Sequence, residues 1–240
     1  MTVRRICVIG DSQLGALKKG WLSEAPLFSE IEITFFAGQN AEWGSIHIVD
    51  GKLAPGSEPL REAFKRSARG PKEIDADYDA YILYGLNLAI SYPLRLWTYH
   101  EHADWNAYQA AVSDYVHNTL FAQVLVKLRE ITEAPIVVLA GPHQPHDYCK
   151  ASPLLDNETA AKLHANFIRE CETLATAYNA RLVTQLEETL APNGVTTQMK
   201  FANIPKEPGR IDLRHCNAEY GAIAMRHILK TGLDIDPVAD

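Results

Sequence analysis

The sequence predicts a three-layer α/β/α sandwich built around a mostly parallel sheet of about five strands. Short apolar runs of strand length alternate along the chain with amphipathic patterns of helical length, which is typical of βαβ units. No internal repeat or low-complexity tract interrupts this alternation, and no Pro- or Gly-rich segment has the character of an interdomain linker. The 240 residues are therefore expected to form one domain, 1–240.

The first half of the chain predicts three core strands and a hairpin. We expect the core strands at 4–9, 32–36 and 81–84, with a helix at 14–22 after the first of them. Between the second and third strands, Asp50-Gly51 separates two short extended runs. This dipeptide is a strong hairpin signal, so we expect a small hairpin insertion at about 45–55.

The second half of the chain predicts the remaining helices and strands. Apolar side chains from Trp105 to Val124 recur at steps of three to five residues, which predicts one long amphipathic helix with Asp104 as its N-cap. The other expected elements are a strand at 136–141, a helix at 163–178, a strand at 180–184 and a last helix from near Asn217 to Gly232. In such sheets the functional crevice lies at the carboxyl ends of the strands, so the candidate functional residues are those that follow each strand.

Composition and charge exclude several classes of partner. The chain has 23 Lys and Arg against 30 Asp and Glu, a formal net charge of -7, and no basic run long enough to follow a phosphate backbone. We therefore expect no nucleic-acid partner. No stretch approaches the ~18 consecutive apolar residues of a membrane span. The apolar run after Arg5 is too short for a signal peptide, and the cysteines form no C-x-x-C pair, so we expect a cytoplasmic protein with reduced thiols.

Three strand ends carry residues with two interpretations each. Gly10-Asp11-Ser12 follows the first strand, where Ser12 is either a helix-capping residue or a nucleophile. Gly38 follows the second strand, as a turn residue or as a backbone N–H donor to a developing oxyanion. Asn87 follows the third strand, as a polar turn residue or as an amide donor to the same oxyanion.

A fourth candidate motif precedes the last helix, where Asp212 and His215 lie three residues apart. On a loop or a single turn, this spacing lets the carboxylate bond the imidazole and hold it in the tautomer that accepts a proton from serine. A surface salt bridge is the alternative. Each of the four motifs is weak alone, but their order and their positions at the strand ends predict one common site.

Together these four blocks resemble the SGNH (GDSL-type) hydrolase superfamily, and the resemblance extends from Gly10 to His215. It implies the α/β/α sandwich with a flavodoxin-like sheet, and it implies no metal or organic cofactor. Members of the superfamily are mostly esterases, thioesterases and carbohydrate deacylases. The resemblance therefore implies a serine esterase that cleaves or transfers a short acyl group through an acyl-enzyme, with an O-acetyl group on a carbohydrate as one candidate substrate.

Carried over by position, the resemblance implies a role for each residue of the four blocks. Ser12 is the expected nucleophile, His215 its general base, and Asp212 the carboxylate that orients His215. The expected oxyanion hole consists of the backbone N–H groups of Ser12 and Gly38 and the side-chain amide of Asn87. We expect Ser12 and His215 to approach within roughly 2.6–3.2 Å of each other.

The sequence departs from the superfamily pattern at two positions. Gln13 stands where a leucine usually follows the serine, and Leu88 stands where an aspartate usually follows the asparagine. Neither replacement removes a group with an implied chemical role. Both weaken the assignment to a subfamily and therefore leave the substrate open.

Two histidine-rich segments support a different hypothesis. The residues concerned are His100, His102, Asp104, His143, His146 and Asp147. Imidazoles and carboxylates at such spacing can bind zinc or another divalent metal. A metal-assisted hydrolase is therefore the second hypothesis, and a non-catalytic binding module on the same scaffold is the third.

Five residues, two of them histidines of these segments, are candidates for substrate binding. The candidates are Asp11, Trp43, Trp97, His100 and His143. Aromatic faces flanked by hydrogen-bonding groups suit a sugar or another polar acyl acceptor. The sequence leaves open the length of the acyl chain, the choice between hydrolysis and transfer, and the oligomeric state.

Overall fold

A parallel sheet of five strands lies at the centre of the computed structural model, which describes residues 3–99, 104–145, 156–203 and 212–238. In chain order the strands are β1 (Arg5–Gly10), β2 (Glu32–Ala37), β3 (His47–Val49), β4 (Lys52–Ala54), β5 (Ala80–Tyr84), β6 (Ile136–Leu139), β7 (Ala180–Leu182), β8 (Ala202–Asn203) and β9 (Asp212–Cys216). The central sheet has the order β2-β1-β5-β6-β7, and its neighbouring strands are parallel. This flavodoxin-type order confirms the predicted α/β fold class.

Helices cover both faces of the sheet. They are α1 (Leu14–Glu24), α2 (Asn40–Trp43), α3 (Glu58–Ser67), α4 (Ser91–Tyr99), α5 (Trp105–Asn118), α6 (Leu120–Ile131), α7 (Asn157–Ala177) and α8 (Ala218–His227), with a π-helical turn at Ile228–Gly232. Along β1, Ile6 and Val8 pack with α1 and α8, whereas Cys7 and Ile9 pack with α5, α6 and α7. This period of two is that of a strand buried on both faces, and it produces the three layers.

One predicted helix is wrong. The apolar pattern from Trp105 to Val124 belongs to two helices, α5 and α6, and not to a single long one. Thr119 separates them in an extended conformation, and its hydroxyl accepts a hydrogen bond from the Ala122 N–H and so caps α6. Asp104 occupies the N-cap position of α5 but makes no capping bond within the described part of the chain.

The predicted hairpin is present, outside the central sheet. β3 and β4 pair antiparallel, with His47 opposite Ala54. The two turn residues, Asp50 and Gly51, both have positive φ angles of 49° and 74°. These are the left-handed conformations that a two-residue hairpin turn requires, and they explain the Asp-Gly dipeptide.

The helices that follow the predicted nucleophile and the predicted base pack backbone against backbone. A Cβ on Gly20 of α1 or on Gly221 of α8 would lie 2.1 Å or 1.9 Å from a backbone atom of the other helix, so both positions require glycine. Beside this crossing, Arg226 makes two hydrogen bonds of 2.9 Å to the carboxylate of Glu24. The two helix starts are therefore held in a fixed relation.

Two further expectations concern the cysteines and the membrane. Cys7, Cys171 and Cys216 are buried and free, and burial raises the pKa of each thiol. Of the helices that the structure describes, none combines the length and the apolar character needed to cross a bilayer.

Candidate active site

The turn after β1 presents an exposed serine at the carboxyl edge of the sheet. The Ser12 hydroxyl hydrogen-bonds the imidazole of His215, with 2.9 Å between Oγ and Nε2. In the turn before α1, Asp11 Oδ1 accepts from the Gln13 N–H at 2.9 Å, and the N-cap residue of α1, Gln13, makes no side-chain capping bond. Ser12 is therefore not the capping residue of α1, and its hydroxyl is bonded to a base.

Three side chains form a hydrogen-bonded chain from Ser12 through His215 to Asp212. His215 Nδ1 lies 2.8 Å from Asp212 Oδ2, and His215 Nε2 lies 2.9 Å from Ser12 Oγ. An ionised carboxylate can only accept, so Nδ1 carries the hydrogen and Nε2 presents its lone pair to the serine hydroxyl. This tautomer is the one that can take a proton from Ser12. The distance between Ser12 and His215 lies within the range expected from the sequence.

Asp212 is held in its ionised form by its own partners. Its Oδ2 also accepts from Asn203 Nδ2 at 3.2 Å, and its Oδ1 accepts from the Arg214 N–H at 3.1 Å. Partial burial alone would raise the pKa of this carboxyl, but the hydrogen bonds from His215, Asn203 and Arg214 lower the pKa below its usual range. The carboxylate is therefore ionised when His215 needs a fixed acceptor.

The Asp-x-x-His pair lies on a strand, so the predicted loop or single turn is wrong. β9 pairs antiparallel with β8, Ala202 opposite Cys216 and Asn203 opposite Asp212. The consecutive residues Ala202 and Asn203 of β8 thus pair with residues of β9 that lie four positions apart. The extra residues of β9 form a bulge between the two pairings. In a regular strand, side chains three apart point to opposite faces. The bulge is what lets the two side chains meet.

Asp11 holds two strand ends together beneath the serine. Its Oδ1 accepts from the Gln13 N–H after β1, and its Oδ2 accepts from the Leu86 N–H after β5 at 2.9 Å. Only 5% of the residue is exposed. Burial raises the pKa of this carboxyl, and hydrogen bonds from Gln13, Asn40, Asn87 and Leu86 oppose the rise. These contacts give Asp11 a positioning role, and the residue also lines the cavity at this edge of the sheet, so its expected substrate contact stays a prediction.

The loop after β5, which contains Asn87, has an unusual backbone. Gly85, Leu86 and Asn87 have successive φ angles of 75°, 52° and 67°. Left-handed conformations cost little for glycine and are best tolerated by asparagine among the other residues, but they strain leucine. A Cβ on Gly85 would also lie 3.0 Å from both oxygens of Asp11. Backbone strain of this kind is typical of functional sites, and it leaves the Asn87 residue exposed.

Tyr115 of α5 fixes the same loop from the other side. Its hydroxyl donates to the Asn87 carbonyl and accepts from the Ala89 N–H at 3.0 Å. Burial raises the pKa of Tyr115 to about 12, so the hydroxyl keeps its proton near neutral pH. The Asn87 backbone is therefore held at its N–H by Asp11 and at its carbonyl by Tyr115. The sequence pattern predicts Tyr115 only as a member of an amphipathic helix.

The expected oxyanion donors differ in their availability. No residue in the described part of the chain accepts from the Ser12 N–H or from the Asn87 amide. The Gly38 N–H, by contrast, donates to the Gly10 carbonyl at 3.2 Å. A Cβ on Gly38 would lie 2.4 Å from the Leu60 side chain. The structure therefore uses Gly38 to extend the pairing of β1 with β2 and to allow close packing, which corrects its expected role as a free donor.

A cavity of about 340 Å³ opens at this edge of the sheet. Its walls come from the ends of β1, β2, β5 and β6 and from α4 and α5. The polar lining includes Gln13, Asn40, Asn87, Arg95, Tyr115 and Gln144. The volume lies at the small end of the range for ligand sites, so the cavity suits a small molecule that has polar groups.

Gln13, one of the departures from the superfamily pattern, ties the two halves of the candidate site together. Its Nε2 donates to the carbonyl of Arg214 on β9 at 2.9 Å. The side chain thus links the turn that carries Ser12 to the strand that carries Asp212 and His215. A leucine at this position has no polar group with which to make that link. Sequence comparison with the superfamily marks Gln13 as unusual but does not reveal this contact.

Of the two tryptophans expected to bind substrate, Trp43 belongs to the core and Trp97 packs against it. Trp43 is 1% exposed and packs on Phe64 with 5.1 Å between ring centroids. Trp97 is partly buried and makes edge contacts with Trp105 and Tyr108. Neither residue lines the cavity. Large aromatic side chains gain most free energy from burial in the core, and this effect overrides their suitability for binding a sugar.

His143, another residue expected to bind substrate, is also buried. His143 is 4% exposed and packs edge-on against His164, and burial lowers its pKa to about 3. It does not line the cavity, although its neighbours Pro142 and Gln144 do. His100, His102, His146 and Asp147 lie outside the described residues. Within the described ranges, no cluster of three or more His, Cys, Asp or Glu side chains could hold a metal ion.

This protein is similar to known proteins in its fold and not in its sequence. No family model and no curated protein matches this sequence. The structure is similar to phospholipase A1 from Streptomyces albidoflavus NA297, with a TM-score of 0.54, 13% identity and coverage of 96% of this chain and 100% of that chain. It is also similar to an extracellular lipase from Streptomyces rimosus, with a TM-score of 0.52, 12% identity and the same coverages, 96% and 100%. The chain therefore has the SGNH hydrolase-like α/β fold that the sequence predicts.

Proposed function

We propose that this protein is a serine esterase that cleaves small polar esters through an acyl-enzyme on Ser12. The observation that carries the proposal is the hydrogen-bonded chain Ser12–His215–Asp212, with distances of 2.9 Å and 2.8 Å between the bonded atoms. Such a chain supplies a nucleophile, a base and an orienting carboxylate in the order that acyl transfer requires. The likeness of the fold to that of a phospholipase and a lipase supports the same class of chemistry.

The geometry supports a two-step reaction. Ser12 Oγ attacks the ester carbonyl carbon while its proton passes to His215 Nε2. The tetrahedral intermediate collapses, the bond from carbon to the alcohol oxygen breaks, and His215 returns the proton to that oxygen. Water or a second alcohol then attacks the acyl-enzyme with His215 again as base, which releases a carboxylic acid or a new ester. Asp212 stabilises the imidazolium in both steps without accepting its proton.

Two donors are available for the developing oxyanion. They are the backbone N–H of Ser12 and the side-chain amide of Asn87, and neither has an acceptor in the described part of the chain. Donors that are held in place before the reaction stabilise the tetrahedral intermediate without the cost of reorganisation. Asp11 and Tyr115 hold the Asn87 backbone in this way. The small polar cavity beside these donors favours short or polar acyl groups over long fatty chains.

Labelling with a fluorophosphonate tests the proposed nucleophile. We expect the wild-type protein to be labelled on Ser12, as mapped by peptide mass spectrometry, because an activated serine attacks phosphorus as it attacks an ester carbon. Ser12→Ala should abolish labelling and ester cleavage. Ser29→Ala, an exposed serine outside the site, should leave both unchanged.

Other outcomes of the labelling would contradict the proposal. Ester cleavage without labelling of Ser12, lost in chelator and restored by zinc, would favour the metal-assisted hydrolase. Absence of both labelling and cleavage across acetyl, butyryl and long-chain esters would favour a binding module.

A second prediction concerns the link made by Gln13. Gln13→Leu keeps most of the side-chain volume but removes the hydrogen bond to the Arg214 carbonyl. A hydrogen bond of this kind contributes on the order of 1 kcal/mol, so we expect the catalytic rate constant to fall about 5-fold to 10-fold as His215 loses its fixed distance to Ser12. The melting temperature should change little, because this hydrogen bond is exposed to solvent. An unchanged rate constant would show that β9 is held without Gln13.

A further inference from the structure

One cavity residue has a charge that the proposed reaction does not use. Arg95 is the only lysine or arginine among the described residues that line the cavity. The other charged lining residue, Asp11, is buried and bonded to backbone N–H groups. The accessible charge contributed by the described lining residues is therefore positive, although the chain as a whole has a net charge of -7.

Among the described residues, the Arg95 guanidinium has few partners. Arg95 lies one helical turn after Ser91 on α4, and both residues line the cavity. Its Nε donates to the Ser91 carbonyl at 3.2 Å. In the described part of the chain no carboxylate pairs with it, and its two terminal nitrogens make no hydrogen bond. A planar guanidinium with two free terminal nitrogens matches the oxygens of a carboxylate or a phosphate.

The wall beside Arg95 is rigid and connected to the proposed oxyanion donor. The ring of Tyr92 stacks on the ring of Tyr115, with 4.1 Å between centroids and 18° between planes. Tyr115 in turn bonds the Asn87 carbonyl through its hydroxyl. Arg95 and the Asn87 amide are therefore presented to the same small cavity from one supported surface, and a substrate of limited length can contact both.

We propose that Arg95 forms a subsite for an anionic group, a carboxylate or a phosphate, on the ester that this protein cleaves. The inference rests on the proposed function and specifies its substrate class. The apolar part of the lining consists of the rings of Tyr92 and Tyr115 with Ala89, Pro142 and the buried Leu88, and the cavity of about 340 Å³ is too small for a long aliphatic chain. The subsite thus selects small charged esters over neutral or fatty ones.

Matched ester pairs test this subsite. On the alcohol side, 4-acetoxybenzoate is compared with its neutral isostere 4-acetoxybenzamide, and 4-acetoxyphenyl phosphate is the phosphate probe. On the acyl side, the mono-4-nitrophenyl ester of adipic acid is compared with the corresponding carboxamide. Hydrogen bonds to charged groups favour binding more than neutral ones do, so for at least one anionic ester we expect kcat/KM to exceed that of its neutral partner by about 10-fold or more.

Variants of Arg95 assign the preference to this residue. Arg95→Gln should reduce the ratio of anionic to neutral kcat/KM to about 1, mainly by raising KM for the anionic ester. Arg95→Lys should retain part of the preference, because it keeps the charge without the planar fork. Arg66→Gln, an exposed arginine on α3 outside the cavity, should keep the wild-type ratio. Added salt should lower the ratio in the wild type and not in Arg95→Gln.

The two proposals fail in different ways. Ser12-dependent cleavage with equal kcat/KM for every matched pair would overturn the anionic subsite and leave the esterase standing. A preference that persists in Arg95→Gln would also overturn the role of Arg95. Absence of any Ser12-dependent cleavage, of neutral and anionic esters alike, would overturn the esterase and with it the reason for the subsite.

Discussion

Replacing His215 with alanine is expected to lower the catalytic rate constant by on the order of 10⁴–10⁶. The expectation follows from the bonding of the imidazole on both sides. Its Nε2 is the only base within hydrogen-bonding distance of Ser12 Oγ in the described structure, and without a base the serine hydroxyl is a weak nucleophile. The same residue protonates the leaving oxygen, so both steps of the reaction lose their proton carrier at once.

Three measurements distinguish a catalytic from a structural role for His215. The melting temperature of His215→Ala should remain close to that of the wild type, because the side chain is partly exposed and, among the described residues, bonds only Ser12 and Asp212. Added imidazole should restore part of the lost turnover by entering the vacated space. His117→Ala, which removes an exposed histidine of α5, is the matched control and should retain full turnover. Near-normal turnover in His215→Ala would exclude the proposed base.

Asp212→Asn should lower the catalytic rate constant less than His215→Ala does, but more than the loss of a surface ion pair would. An asparagine keeps the shape of Asp212 but can donate to Nδ1, which favours the tautomer with its hydrogen on Nε2. That tautomer cannot accept the proton of Ser12. The variant therefore tests the direction of the hydrogen bond between Asp212 and His215, since its length alone does not give the tautomer.

Local signals in the sequence predicted much of this fold. The strand at 4–9 was expected because an apolar run precedes a glycine, and β1 spans Arg5–Gly10. The hairpin was expected from Asp50-Gly51, whose positive φ angles give a local reason for that dipeptide. The break between α5 and α6 escaped prediction, because the apolar period continues across Thr119 and only the extended backbone of that residue interrupts the helix.

The parts of the candidate site that could not be predicted depend on contacts between distant segments. β9 has a partner of only two residues, β8, and its bulge arises from that pairing. Tyr115 reaches Asn87 from a helix 28 residues away in the chain, and Arg95 faces the cavity through the placement of α4. Gly38 has the expected position, but the pairing of β1 with β2 takes its N–H. A sequence pattern gives residue types at strand ends and does not give the acceptor of each donor.

Removing the amide of Asn87 is expected to lower the catalytic rate constant by on the order of 10²–10³ while KM changes little. The substrate carbonyl has little charge, whereas the oxygen of the tetrahedral intermediate has a full negative charge. A donor that is held toward that oxygen therefore acts mainly on the transition state. The effect should be large here, because the Gly38 N–H is already bonded to Gly10 and fewer donors remain to compensate.

The backbone conformation of Asn87 decides which variants give a clean test. Its φ of 67° strains alanine by roughly 1–2 kcal/mol, so Asn87→Ala combines the loss of a donor with a loss of stability. Asn87→Gly adopts this conformation freely and loses only the amide. Asn87→Asp keeps the shape and the tolerance for positive φ, but it offers no donor and repels the oxyanion. We therefore expect turnover in the order wild type, then Gly and Ala, then Asp, and melting temperatures in a different order, with Ala lowest.

Turnover and melting temperature measured on the same samples separate the two roles of Asn87. If Asn87 were only a turn residue, Asn87→Gly would retain the wild-type rate constant, and the variants would differ in stability alone. A fall of on the order of 10²-fold in Asn87→Gly with an unchanged melting temperature would assign the effect to the missing amide. Tyr115→Phe provides the matched positioning control, because it removes the hydroxyl that holds the Asn87 carbonyl and keeps the amide itself. Its rate constant should fall less than that of Asn87→Gly, since a loosely held donor still reaches the oxyanion part of the time. An equal fall in both variants would mean that the position of the loop, and not the amide, determines the rate.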